Sequence, residues 1–462
     1  MADSPAPRVT PELLARYNRP GPRYTSYPTA PQFHTGFGPE EYASRLAAAN
    51  RGRDPLGLYV HVPFCEKRCL YCGCHVIVTR RRSIVRDYLD HVIVEIGRVA
   101  DHLPDRRRVS QLHWGGGTPT HLGPAEMREL YGALTDRFEF LPDAEVAIEI
   151  DPRVTSPAHL DTLRELGFNR LSLGVQDFTP EVQTAIGREQ SFEQTEKLVE
   201  DFHSRGFRQF NVDLVYGLPR QTVDAFRSSL AKVVGLRPNR VAVYSYAHVP
   251  WIRPHQRHID ESDLPATETK FALFAAAIDA FVEAGYVQIG MDHFALPDDE
   301  LVLAQSRGAL TRNFMGYAVR AAPDLVAFGV SGISDVGGAF AQNEKNLAEY
   351  YRTLDDGELP IERGYVLDDD DHVRRFVIQN LMCNFELDTL ALSRRFGVEF
   401  RDYFATERQV LERTIEPEFY RYDGPRLCVT PLGRSFVRNI CMVFDRYLGR
   451  HDGERALFSK TV

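Results

Sequence analysis

The chain has 462 residues, 43% of them hydrophobic and 26% charged, with a net charge of -9. That length exceeds the roughly 250–300 residues at which a single core stops growing, so a main body plus at least one smaller domain is expected. The acidic balance excludes a general nucleic-acid surface, which needs a basic footprint, and no apolar run is long enough to span a bilayer.

The first residues, MADSPAPRVTPELLARYNRPG, lack the basic start, apolar centre and small-residue cleavage site of a secretory signal, and the expected location is the cytoplasm. To about residue 55 the chain is rich in Pro, Gly and aromatics (YNRPGPRYTSYPTAPQF) and reads as an extended arm, followed by a helix at EEYASRLAAA. Six β-rich runs follow: LGLYVHV, SQLHW, EVAIEI, RLSLGV, QFNVDLVYG and VAVYSY. Between them, segments such as VRDYLDHVIVEIGRVADHL and SFEQTEKLVEDFHSRG carry apolar residues at helical spacing. Six strand-helix alternations with right-handed connections predict an α/β fold, a partial (β/α)6 barrel whose site lies at the carboxyl ends of the strands.

The helix TETKFALFAAAIDAFVEAG closes this region, and a mixed segment with VQIGMDHFAL and LVAFGVSGIS comes next. From about residue 364 the pattern turns helical (DDDHVRRFVIQNLMCNF, LDTLALSRRF, EFRDYFATERQVLERTI), with a short CVT strand and a last helix, GRSFVRNICMVFDRYL. The expected organisation is an arm and helix at 1–55, a catalytic domain at 56–363 and a small, mostly helical, winged-helix-like domain at 364–462. A packing role suits that last domain better than a nucleic-acid role, given the acidic charge.

Four of the seven cysteines, Cys65, Cys69, Cys72 and Cys74, crowd together directly after the first predicted strand. In a long chain without a secretory signal this is metal chemistry and not a disulfide framework. Thiolates select iron-sulfur clusters, zinc or copper. Cys65, Cys69 and Cys72 can wrap one [4Fe-4S] cube and leave its fourth iron open for a chelating amino acid. Structural zinc would draw on two ligand pairs separated by a longer excursion, and a cube held by all four thiolates would need both Cys72 and Cys74 across the single Gly73.

Later residues complete a candidate site. Gly115-Gly116-Gly117-Thr118 follows the second strand, where glycines allow close backbone approach to a ligand. Glu149 ends the third strand, where a carboxylate can accept from an ammonium or from ribose hydroxyls. Gln176 ends the fourth, Asp213 lies in the fifth and Ala247 follows the sixth. Each polar strand residue taken singly is equally a satisfied core group; their recurrence at successive strand ends favours a site.

Cys-x3-Cys-x2-Cys is the signature of the radical S-adenosylmethionine (SAM) superfamily. The surrounding motifs, HVPFC, QLHWGGGTPTHL, EIDPR, LSLGVQDF, NVDLVYGLP, IGMDHFA, FGVSGIS, AQNEKNLAEYY and RNICMVFD, together with the arm's YNRPGPRYTSYPTA, resemble the oxygen-independent coproporphyrinogen III oxidases. The resemblance runs from about residue 15 to the end of the chain. It implies that Tyr59, Gly116, Glu149 and Ile333 contact one SAM, and that Tyr71, Gly117, Thr118, Gln176, Arg188, Asp213 and Ala247 contact a second. It further implies a porphyrinogen substrate and a one-electron donor such as flavodoxin or ferredoxin. The reaction implied is conversion of two propionates of coproporphyrinogen III to vinyls by a 5'-deoxyadenosyl radical. A monomer is expected, with Cys74 beside the cluster and Arg23 of the aromatic arm holding a propionate; pinning the arm is the other reading of Arg23. One departure is Met315, in a segment where the family usually has Gln. A related radical methyltransferase or cyclopropanating enzyme, or a haem-binding relative, are the rival readings.

Overall fold

The computed structural model describes residues 9–319, 322–448 and 458–461, so the first eight residues of the expected arm lie outside it. Its framework is one twelve-stranded sheet. The six expected runs form β1 (Leu56–Val62), β2 (Arg108–Gly116), β3 (Glu139–Ile150), β4 (Arg170–Gln176), β5 (Gln209–Tyr216) and β6 (Arg240–Ser245). Each pairs in parallel with the next. In β1 every residue but Tyr59 is buried, the pattern of a strand covered on both faces. Helices Arg82–Asp101, Pro124–Thr135, Pro157–Glu165, Phe192–Ser204 and Val223–Leu236 lie between successive strands and pack outside them.

The mixed segments extend both edges of this sheet. β7 (Val287–Ile289) and β8 (His293–Ala295) form a hairpin whose second strand runs antiparallel to β6. At the other edge β9 (Leu325–Phe328) pairs in parallel with β1, and β10 (Ile333–Val336), β11 (Ala339–Asn343) and β12 (Ile361–Val366) continue antiparallel. The strand β12 thus carries the main sheet across residue 364.

Beyond it, helix Asp369–Asn384 and its successors pack with a three-stranded antiparallel sheet of Glu386–Asp388, Arg426–Val429 and Tyr420–Asp423. Two expectations change. The arm opens with a helix, Pro11–Tyr17, because Thr10 caps the Leu13 amide and Pro11 suits the first turn. The last expected helix is broken into Pro431–Arg434 and Val437–Met442. The break falls where Phe436 stacks on Phe419 at 4.6 Å and leaves helical geometry.

The arm is built into the second hydrophobic core, where Leu14, Tyr17, Tyr24 and Tyr27 pack with residues of the C-terminal region. The Tyr24 hydroxyl donates to Asp445, and the Arg438 guanidinium donates to the carbonyls of Gly21 and Pro22. Among the described residues no helix is long and apolar enough to cross a membrane.

Candidate active site

The cysteine loop leaves β1 through a short strand, Phe64–Cys65, which pairs in parallel with Ile77–Val78 and so folds the loop back on itself. The loop is held from two sides. Gly117 and Thr118 donate their amides to Val62 and Phe64 at 2.8 Å. From the opposite side His255 lies 2.8 Å from the Cys72 carbonyl, while the buried Gln256 amide donates to the carbonyls of both Tyr71 and Ala247. A Cβ at Gly117 would fall 2.6 Å from the Pro63 oxygen, and one at Gly116, whose φ is +116°, would fall 2.7 Å from the His61 ring. Gly116 and Gly117 are therefore required by close approach of the end of β1 and the residues that lead into the cysteine loop, before any ligand enters.

All four cysteines line one cavity of about 270 Å³, together with Tyr71, Gly116, Gly117, Thr118, Glu149, Gln176, Arg188 and Asp213. An adjoining cavity of about 640 Å³ is lined by Tyr59, Cys74, Gly116, Glu149 and Ile333, together with Phe314 and Met315. The two cavities share Cys74, Gly116 and Glu149. Of the residues expected for one cofactor molecule, Tyr59 and Ile333 line only the second cavity while Gly116 and Glu149 line both; those expected for the other line the first, except Ala247, which lines neither and meets the site through its carbonyl. Arg23 is not brought there. Its guanidinium donates to the Ser245 carbonyl and lines a separate, small cavity with Asp292 and Arg438, the contacts of a residue that pins the arm.

The electrostatics favour an anionic, sulfur-ligated group. The guanidinium groups of Arg153 and Arg188 each approach the Cys69 sulfur to 3.9 Å, and the Cys65 sulfur lies 3.4 Å from the Thr118 hydroxyl. The Arg188 Nε is buried without a partner. Burial pushes the Cys65 thiol up to about 11, whereas the Cys74 side-chain hydrogen bond brings Cys72 down to about 6. Among the described residues no three His, Cys, Asp or Glu side chains are grouped to hold a single ion. A cube needs no such group, because each thiolate binds a different iron. Cys65, Cys69 and Cys72 with these two arginines therefore fit a [4Fe-4S] cluster.

Around that centre the strand ends are cross-braced. Glu149 accepts from the Gly116 amide and lies 3.2 Å from the His113 ring, which stacks on Tyr59. Asp151 opposes its own burial by pairing with Arg188 and Arg153, which hold its carboxyl down at about 2. Burial raises Asp213 to about 6, while Ser172 and Asn211 donate to it. Met315 sits in the tight turn of the hairpin Thr311–Asn313 and Gly316–Ala318, its amide bonded to the Asn313 side chain. Asp151 and Arg153 were present in the quoted EIDPR motif but carried no separate signal; His255 and Gln256 lie far along the chain from the cysteines and only folding reveals them.

Comparison with known proteins decides the family. The Radical SAM superfamily model matches residues 59–233 and the HemN C-terminal domain model matches residues 367–436. The oxygen-independent coproporphyrinogen III oxidase of Pseudomonas aeruginosa is 45% identical over 453 residues, covering 98% of this chain and 98% of that protein. The chain belongs to the oxygen-independent coproporphyrinogen III oxidases. The Escherichia coli member is 45% identical over 450 residues, covering 97% of this chain and 98% of its own length. The solved structure described as "Coproporphyrinogen III oxidase (HemN) from Escherichia coli is a Radical SAM enzyme" superposes with a TM-score of 0.89 over 92% of this chain and 98% of that one. The chain is accordingly a radical SAM enzyme, with a [4Fe-4S] cluster and SAM as its cofactors.

One wall of the larger cavity is held from behind. Glu95, on helix Arg82–Asp101, accepts from the Gly329 amide at 2.7 Å, the Asn343 side chain at 2.6 Å and the Tyr350 hydroxyl at 2.5 Å. Gly329 opens the loop that leads to Ser331, Gly332 and Ile333 on the cavity wall. Burial raises the Glu95 carboxyl from 4.5 to about 7, so the native state binds its proton more tightly than the unfolded chain does. Stability from this group therefore falls as pH rises from about 4.5 to about 7. Glu95→Gln should remove that component of the slope in anaerobic denaturation series, and should raise KM for SAM more than it lowers kcat. Identical slopes in the two proteins would contradict this role.

Proposed function

We propose that the protein converts two propionates of coproporphyrinogen III to vinyl groups without dioxygen, giving protoporphyrinogen IX for haem synthesis. The observation that carries the reading is the pair of cavities meeting at Cys74, Gly116 and Glu149, one on the cysteine loop and one lined by both apolar and basic side chains. No side-chain base can take the proton of an unactivated methylene, so the hard step belongs to cofactors. When bound, the cluster and SAM supply a 5'-deoxyadenosyl radical suited to that C–H bond.

The chain's own residues bind and orient. Cys65, Cys69 and Cys72 hold the cluster, with Cys74 beside it. Tyr59, Gly116, Glu149 and Ile333 receive one SAM, and Tyr71, Gly117, Thr118, Gln176, Arg188, Asp213 and Ala247 a second. Glu149, at a shared wall, accepts from an ammonium or ribose hydroxyl. Ile252, Phe314 and Met315 offer apolar contact to a macrocycle, and Arg253, Lys345 and Arg363 on the same cavity offer charge to its carboxylates. The reading includes a cytoplasmic monomer supplied with electrons by a flavodoxin or ferredoxin.

Reduced enzyme given coproporphyrinogen III deuterated at the propionate β-carbon should place the label in 5'-deoxyadenosine. It should consume about two SAM per substrate, one for each decarboxylation. A methyl group passing from SAM to the product, or cofactor cleavage with no label transfer, would favour the methyltransferase reading instead.

A further inference from the structure

The cysteine loop has an outer face that the chemistry above leaves unused. Arg80, Arg81 and Arg82 are exposed there, Lys67 and Arg68 are exposed while also lining the cysteine cavity, and between Cys65 and Arg82 the sequence has a single carboxylate, Glu66. This is a local positive patch on a chain whose net charge is -9.

The patch is continuous with the cluster ligands. Lys67 and Arg68 lie between Cys65 and Cys69, and the Arg68 guanidinium reaches across the loop to the Val76 carbonyl at 2.7 Å. Val78 pairs with Cys65, and the Thr79 amide donates to the Cys65 carbonyl at 3.1 Å, so Arg80 and Arg81 follow directly from a segment bonded to a ligand. The charge is also largely unspent. Among the described residues the side chains of Lys67 and Arg81 have no hydrogen-bond or ion-pair partner. Arg80 is 78% exposed and meets only the exposed Glu66, a pairing worth little in water. Arg82 is drawn away to Glu126 and the His121 carbonyl. Val78, 48% exposed, adds an apolar point beside the charges.

We propose that this face is the docking surface for a small, acidic one-electron carrier protein. The inference rests on the cluster assignment above. Each reductive cleavage of SAM draws one electron through the cluster, and the carrier is oxidised by one electron as the cluster is reduced. The inner side of the loop faces the cofactor cavities, so the outer side is where a protein donor can come near the sulfur ligands without entering the substrate's space. Redox encounters of this kind are small, below about 1,200 Å² of buried surface, and gain their rate from charge steering. An acidic carrier is repelled by the protein as a whole, and a local patch of this sign supplies the attraction that association requires.

The test uses the intact, cluster-loaded chain and two reductants. SAM cleavage is measured with dithionite, which needs no docking surface, and with a reduced acidic flavodoxin, at low and high salt. The Arg80→Glu, Arg81→Glu double variant should keep its iron and its dithionite-driven rate. Its flavodoxin-driven rate should fall about tenfold or more at low salt, and the gap to the parent protein should narrow as salt screens the charges. Should the double variant bind less iron, Arg81→Glu alone carries the comparison, since that side chain has no partner to lose. Equal flavodoxin-driven rates in parent and variant would overturn the docking surface. Absence of dithionite-driven cleavage in the parent protein would instead overturn the cluster assignment.

Discussion

Replacing Cys65, Cys69 or Cys72 by Ala is expected to remove iron, brown colour and SAM cleavage together. Each thiolate is one of the three proposed to hold the cube, and the parent protein should carry about four irons per chain when purified without air. The loop itself should survive, because it is tied by backbone bonds at Gly117, Thr118 and Thr79 and by His255 and Gln256, none of which involves a sulfur. Cys74→Ala should keep most of the iron, since Cys74 is the one of the four that faces both cavities. Iron determination and the visible spectrum of each variant decide the matter. Iron loss in Cys74→Ala equal to that in Cys65→Ala would show that the ligand set is misassigned.

The second large effect is expected at Arg188. Its side chain is 8% exposed and binds Asp151, the Gly174 carbonyl and Gln190 while approaching the Cys69 sulfur. Arg188→Ala leaves the buried Asp151 carboxylate with Arg153 alone, and removing one partner of a buried pair typically destabilises by about 3–5 kcal/mol. The variant should unfold at lower denaturant, and equilibrium binding should find one SAM against the two proposed for the parent protein. Arg188→Lys should recover little, because an ammonium cannot span the fork of acceptors that the guanidinium reaches. Unchanged stability together with unchanged SAM stoichiometry would remove Arg188 from the site.

The outcome at individual residues shows where sequence reading reached its limit. The cysteine spacing and the six alternating runs were legible because both are local: ligands of one cube lie within one loop, and buried parallel strands are short apolar runs between helical periods. The glycine run was legible as close approach, but its partner was not, since the Pro63 carbonyl and His61 ring come against it only when β1 and β2 align. Arg23 looked suited to a propionate from its composition and neighbours. The fold turns it toward the Ser245 carbonyl, because the aromatic arm around it is buried against the C-terminal region.

What the sequence by itself determined is the chemistry: three thiolates in one loop, a partial barrel to carry them, and strand-end residues facing a common mouth. Those properties follow from residue type and short-range spacing. Tertiary structure alone decided which distant groups complete the site. It brought His255 and Gln256 against the cysteine loop, set β9 beside β1 with β10 to β12 beyond it so that Ile333 lines the same cavity as Tyr59, and placed Glu95 behind that wall. The physical reason is that such contacts join segments far apart in the chain. Their geometry depends on the register of the whole sheet, which local pattern does not encode.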